Sequence, residues 1–134
     1  MTLAVCLDDN GGMMYNNRRQ SRDRVLIADL TEAAFLGIVT TPYSASLFSK
    51  ETHLRISEHP MEDAAADETA FIEDPRLIPT LDGVKRLIIY RWCKLYPTDL
   101  RFPYDPAELG YRLTEEKEFV GSSHDKIWKG IYEK

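Results

Sequence analysis

The 134-residue sequence predicts one α/β domain: three layers around a mostly parallel, mixed sheet, closed by a C-terminal antiparallel hairpin. Three observations carry that prediction. A strand-like apolar run opens the chain, strand and helix periodicities then alternate, and the strongest strand pattern comes late, at Leu87-Ile88-Ile89-Tyr90. One core is expected, because a domain of about 150 residues buries roughly 70% of its unfolded surface. No internal repeat, low-complexity linker or domain boundary divides residues 1–134, and 43% hydrophobic with 29% charged residues is a globular composition.

Residues 2–7 are apolar strand formers that stop at the turn-prone Asp8-Asp9-Asn10-Gly11-Gly12. A polar loop is expected to follow as far as Gln20. Ser21 is a candidate N-cap, with Asp23 suited to the positive end of the helix. Val25, Leu26, Leu30, Ala33 and Ala34 recur at helical spacing, which predicts an amphipathic helix over 22–35. Leu36 to Thr40 reads as a second strand, and Thr41-Pro42 as the N-cap and first residue of a short helix to Ser49. Within 50–69 the pattern weakens to a short strand at 53–57 and a short acidic helix at 61–66. Ala70-Phe71-Ile72 is another apolar segment, ending at Glu73-Asp74-Pro75. Residues 84–93 predict a mid-sheet strand, and 110–134 two strands about a Gly121-Ser122-Ser123 turn, with Ile127, Lys129 and Ile131 alternating against Trp128 and Tyr132.

The formal charge of −5 argues against a general nucleic-acid binder, which carries a basic excess to neutralise phosphates. No apolar run reaches the 18 or so residues that cross a bilayer, and no basic region precedes the first apolar run, so a cytoplasmic protein is expected. Cys6 and Cys93 each sit in a strand-like run without a Cys-x-x-Cys pair, which reads as two buried reduced thiols. The three histidines, His53, His59 and His124, show no metal-ligand spacing and are expected in loops or on the surface; their carboxylate neighbours in sequence are Glu51, Glu58 and Asp125. Ser122-Ser123-His124-Asp125 holds the residue types of a hydrolytic triad, but adjacent residues on one turn point apart. Acidic runs such as Glu115-Glu116-Lys117-Glu118 read as solvated faces.

Arg18, Arg19, Arg22 and Arg24 lie within seven positions that contain one acid, Asp23. Guanidinium forks beside a helix start can hold an anion, so Asn16, Arg18, Arg19 and Arg22 are the candidate ligand- or anion-binding residues. The alternative is a solvated face whose arginines pair with Asp8, Asp9 and Asp29. Open α/β sheets place a pocket at the C-terminal ends of their parallel strands, here near the loop from Asn16 to Asp23.

The first strand with its Asp-x-Asn-Gly turn, the helix opening at Ser21-Arg22-Asp23, the run Val84 to Trp92, the segment Tyr96-Pro97-Thr98-Asp99-Leu100-Arg101-Phe102-Pro103 and the closing run to Ile131-Tyr132 together resemble a shortened dihydrofolate reductase. The chain is also similar to a small family to which the label ribonuclease Z is sometimes attached, but a zinc nuclease of that kind needs a His-x-His-x-Asp-His cluster that this sequence lacks. The reductase resemblance implies that Asp23 falls where a carboxylate holds a pterin, making it the candidate catalytic acid or base. It also implies departures. An apolar Leu-Pro-Trp loop is replaced by Asn16-Asn17-Arg18-Arg19-Gln20, and a Gly-Gly pair that admits the cofactor diphosphate is replaced by Glu73-Asp74. Acids there would repel phosphate by about 4 kcal/mol per pair of like charges at 4 Å in an effective dielectric of about 20. The expectation is therefore no NADPH cofactor and no metal, with a small anionic or nucleotide-like ligand as partner. The readings left open are a small-ligand-binding protein, an enzyme using Asp23 on a nucleotide or pterin-like substrate, and a homodimeric interaction module. In the plainer reading of Asp23 it is a first-turn acid that pairs with Arg19 or Arg22.

Overall fold

A computed structural model describes residues 1–50 and 52–134. The first strand, β1 (Thr2–Leu7), forms where expected because Leu3, Val5 and Leu7 face one side of the sheet and Ala4 and Cys6 the other. The chain then departs from the expected loop. It forms a hairpin of β2 (Gly12–Tyr15) and β3 (Arg18–Arg19), with Asn16 and Asn17 at φ 52° and 60° between them. Two successive left-handed residues are the geometry of a tight hairpin turn, and asparagine tolerates it better than most residues.

Helix α1 (Arg24–Ala33) follows, then β4 (Ile38–Thr40), α2 (Pro42–Ala45), β5 (Leu54–Ile56), α3 (Pro60–Asp63) and β6 (Thr69–Phe71). A 3-10 turn (Pro75–Leu77) leads to β7 (Arg86–Arg91), β8 (Leu100–Arg101), β9 (Arg112–Phe119) and β10 (Ile127–Glu133). The main sheet has the order β5-β4-β6-β1-β7-β10-β9. From β5 to β7 neighbours are parallel, and β10 pairs antiparallel with both β7 and β9. A second sheet has the order β3-β2-β8.

Two apolar layers hold the sheet between them. On one face α1 presents Leu26, Leu30 and Ala34, four residues apart, to Ala4, Phe71, Ile88 and Tyr90. Val25 belongs to the helical pattern but is exposed, since it lies off that stripe. On the other face Leu3, Val5, Leu87 and Ile89 meet Met13 and Met14 of the hairpin, with Ile78, Phe102 and Tyr111 from the later loops. Thus the third layer is mostly hairpin and loop, with α3 placing Met61 at its edge.

Charge also locks α1 to the sheet. Asp29 accepts from Tyr90 Oη at 2.6 Å and pairs with Lys129 at 2.8 Å and Lys117 at 2.5 Å. Burial, with Asp29 alongside, pushes the Tyr90 phenol far up, so it stays a donor. Cys93 does not lie in the strand that was expected to contain it. It follows β7 at φ 59°, and both thiols are half-buried and unbonded to one another.

Candidate functional site

The start of α1 is built around one carboxylate. Asp23, not Ser21, is the N-cap, and its Oδ1 accepts from the amides of Val25 at 2.9 Å and Leu26 at 3.2 Å. The turn between β9 and β10 brings three further donors: Ser122 N at 2.9 Å, Ser123 N at 2.8 Å and His124 Nδ1 at 3.0 Å. Asp23 is only 2% exposed. Burial alone would raise its pKa, but the bonds from His124, Ser123, Ser122 and Leu26 outweigh that and hold the carboxyl well below the usual carboxylate range.

His124 lies in a loop, as expected, but it is only 5% exposed, which corrects the expectation of a surface histidine. Its ring stacks on Trp92 with centroids 4.6 Å apart, and its Nε2 lies 3.0 Å from both Ser21 Oγ and Tyr96 Oη. Because an ionised carboxylate can only accept, Nδ1 carries a proton and donates to Asp23. Ser21 is thereby engaged with the imidazole, which is why it does not cap the helix. His53 and His59 are exposed, as expected, while Glu51 lies outside the described residues.

The arginine cluster does not act as one patch. Arg22 and Arg24 line a cleft of about 750 Å³ beside α1, together with Ile27, Ala28 and Leu47, the hydroxyl side chains of Ser46, Ser49 and Ser122, and the acids Asp23 and Glu32. Among the described residues neither guanidinium has an ion partner within 4.0 Å. Asn16, Arg18 and Arg19 line a different cleft of about 230 Å³, with Gln20 and Tyr96. That second cleft touches the loop near which the sequence placed a pocket, but the larger one lies along the helix.

Arg19 is not free for an anion. Its Nε and Nη2 donate to Glu73 at 2.8 and 3.0 Å, and its guanidinium lies 4.3 Å from the Tyr43 ring centroid. Glu73 also accepts from Ser44 Oγ at 2.6 Å. Asp74 caps the 3-10 turn and pairs with Arg76 at 2.9 Å. Each acid of the Glu73-Asp74 turn is therefore matched by an arginine, which cancels much of the repulsion expected of two unpaired acids. Of the three acids considered for the arginines, Asp8 and Asp29 are also taken, and Asp9 forms no ion pair among the described residues. Asp8 accepts from the amides of Asn10, Gly12 and Tyr96 and from Gln20, and Asp29 binds the two lysines.

Sequence reasoning reached Asp23 and the arginines but missed His124, Tyr96 and Trp92 as a unit. Nothing local signals that unit, because His124 meets Asp23 and Ser21 across about a hundred residues of chain. Among the described residues there is no group of three or more His, Cys, Asp or Glu side chains placed to hold a metal, and no helix long and apolar enough to cross a membrane.

No family model and no curated protein sequence matches the chain. Solved structures do match. One is dihydrofolate reductase from Enterococcus faecalis, determined with NADP(H) and RAB-propyl, at a TM-score of 0.67 over 98% of this chain and 94% of that one. This chain has a dihydrofolate reductase-like fold. At 10% sequence identity the likeness is one of fold.

Proposed function

We propose that this protein binds a small organic anion in the cleft beside α1, and that it does not catalyse NADPH-dependent reduction. The observation that carries this reading is the 750 Å³ cleft itself, in which an apolar floor of Ile27, Ala28 and Leu47 meets the guanidinium groups of Arg22 and Arg24. Its size falls within the range of small-molecule sites, and the mixture of apolar wall and a few charged donors is what such sites use. The ligand class is a molecule with an apolar or flat body and one carboxylate or phosphate, since a guanidinium pairs with either through two parallel hydrogen bonds.

Two further features support the absence of reductase chemistry. Every lone pair that Asp23 could offer a heterocycle faces a donor of the protein, so a pterin amide would have to displace Ser122, Ser123 or His124. At the end of β6, where the family resemblance requires glycine backbone for a diphosphate, the Glu73 side chain is held by Arg19 and Ser44. The neighbouring space of about 430 Å³ is lined by Glu58, Glu73 and Asp74 with Arg76 as its lone arginine, a poor donor set for a diphosphate. These residues do not fit the nicotinamide cofactor. Asp23 also suits a general acid or base badly, because catalysis near neutral pH favours a carboxyl raised toward 7 and this one is lowered.

The test is thermal denaturation of the wild-type protein and of the Arg22→Ala/Arg24→Ala double variant with AMP, 4-hydroxybenzoate and inorganic phosphate as probes. A ligand at a hundred times its Kd adds about 2.7 kcal/mol. The expected result is stabilisation of the wild type by AMP or 4-hydroxybenzoate and loss of that response in the double variant. No response to either organic anion, or a response unchanged by the double substitution, would contradict the reading.

A further inference from the structure

We propose that Ser21 is a nucleophilic hydroxyl, with His124 as its base and Asp23 as the positioning residue, able to accept an acyl group from an activated ester of a small acid. The proposal is independent of the cleft beside α1 and rests on a connected chain of hydrogen bonds. Ser21 Oγ lies 3.0 Å from His124 Nε2, and His124 Nδ1 lies 3.0 Å from Asp23 Oδ2. That is the relation of nucleophile to base and base to carboxylate on which serine acyl transfer depends, and it is recognised by geometry, not by order along the chain. Here the hydroxyl and the carboxylate flank the start of α1 and the imidazole arrives from the far end of the sequence.

The ring is held for that role. It stacks on Trp92, is buried, and gives its Nδ1 proton to a carboxylate that also accepts four backbone amides, so Nε2 keeps its lone pair, which faces the hydroxyls of Ser21 and Tyr96. Tyr96 Oη sits 3.0 Å from the same nitrogen and 3.4 Å from Ser21 Oγ. A phenol at that place can donate to Ser21 Oγ, which leaves the serine's own proton directed at Nε2. Ser21 borders a narrow space shared with Cys6, Gln20 and Trp92, and Gln20 and Arg19 separate that space from the 230 Å³ cleft that Tyr96 lines. The space at Ser21 holds only about 10 Å³, so the acyl group must be small and must be presented to the half-buried hydroxyl from solvent.

In the step, Ser21 Oγ bonds to the acyl carbon while its proton passes to His124 Nε2. The bond from that carbon to the leaving oxygen breaks, and the leaving oxygen takes the proton from Nε2. Water then adds to the acyl carbon, gives a proton to Nε2, and the acid departs as Ser21 Oγ recovers that proton. No redox partner is needed.

The experiment treats the folded protein with a fluorophosphonate, which phosphonylates an activated serine with loss of fluoride, and locates the adduct by peptide mass. The same reaction is run on the urea-unfolded chain, on Ser21→Ala and on His124→Gln, with p-nitrophenyl acetate hydrolysis followed in parallel. The expected result is one adduct, on Ser21, formed only by the folded chain, absent in Ser21→Ala and slowed by about a hundredfold or more in His124→Gln. No adduct on the folded wild type, an adduct on Tyr96 or another serine instead, or equal labelling of the unfolded chain would overturn the proposal. The folded-against-unfolded comparison decides the matter even where His124→Gln does not fold.

Discussion

Asp23 shows how one side chain can be both cap and clasp. An ordinary N-cap lost to alanine costs about 0.5–2 kcal/mol, but here the same change also strands His124 Nδ1 in a buried place, at about 1–3 kcal/mol for an unsatisfied group, and frees the Ser123 amide in a part-buried one. Asp23→Ala is therefore expected to lower the unfolding free energy in urea by about 3 kcal/mol or more, with Asp23→Asn in between. Gly121 is the second sensitive position. A Cβ there would collide with the Asp23 carboxylate and come within 2.7 Å of the Ile127 methyl, so Gly121→Ala is expected to lose about 1–3 kcal/mol in the same assay. The pH dependence follows from the lowered carboxyl. A folded pKa below the unfolded one contributes stability that is complete above the unfolded value of about 3.9 and is lost as pH falls toward the folded value. Glu68, held to about 2 by its bonds from Arg55 and the Ala65 amide, acts in the same direction from a half-buried site. Acid titration should thus show stability flat with respect to these two groups above pH 5 and falling below 4, and Asp23→Asn should flatten the acid limb. At this scale the sequence revealed Asp23 as an acid at a helix start and nothing of its partner, because the histidine that meets it lies 101 positions away and no local spacing encodes such a pair.

Elements were legible wherever the periodicity ran long enough to bury a face. The first strand, the helix at 24–33, the late strand and the closing hairpin follow from alternation or helical spacing of large apolar residues, which decides which side meets the core. Leu30, fully buried against the sheet, carries that packing; Leu30→Ala is expected to cost about 2–5 kcal/mol by chemical denaturation, far more than truncation of the exposed Val25 on the same helix. The hairpin of residues 12–19 was not legible. Its strands are short, one of them two charged residues, and its signal is the backbone tolerance of Asn16 and Asn17 for positive φ, with no apolar pattern to mark it. Replacing Asn17 by glycine should leave stability unchanged or slightly raised, whereas valine should cost about 1–2 kcal/mol, since a β-branched residue resists that conformation.

For the molecule as a whole, charge placement matters more than net charge. The four arginines that looked like one patch in sequence divide between two clefts, and the acids that looked uncompensated are matched, Glu73 by Arg19 of the hairpin and Asp74 by Arg76 of its own turn. Pairings of this kind are made by the fold, so composition and spacing could locate the charged residues but not say which remain available. The β9 edge, exposed along Glu115, Glu116, Lys117 and Glu118, is the sort of charged edge that resists pairing with a second sheet. The central claim is that a reductase-like fold here serves an anion site beside α1 and has no place for the nicotinamide cofactor. Equilibrium dialysis of the purified protein against NADPH tests it most directly. The account predicts no retention of NADPH at concentrations of about 1 mM, a Kd weaker than about −4.1 kcal/mol of binding free energy. Saturable binding of one NADPH per chain at micromolar concentration, weakened by substitution of Arg76 or Thr41, would contradict it and return the protein to oxidoreductase chemistry.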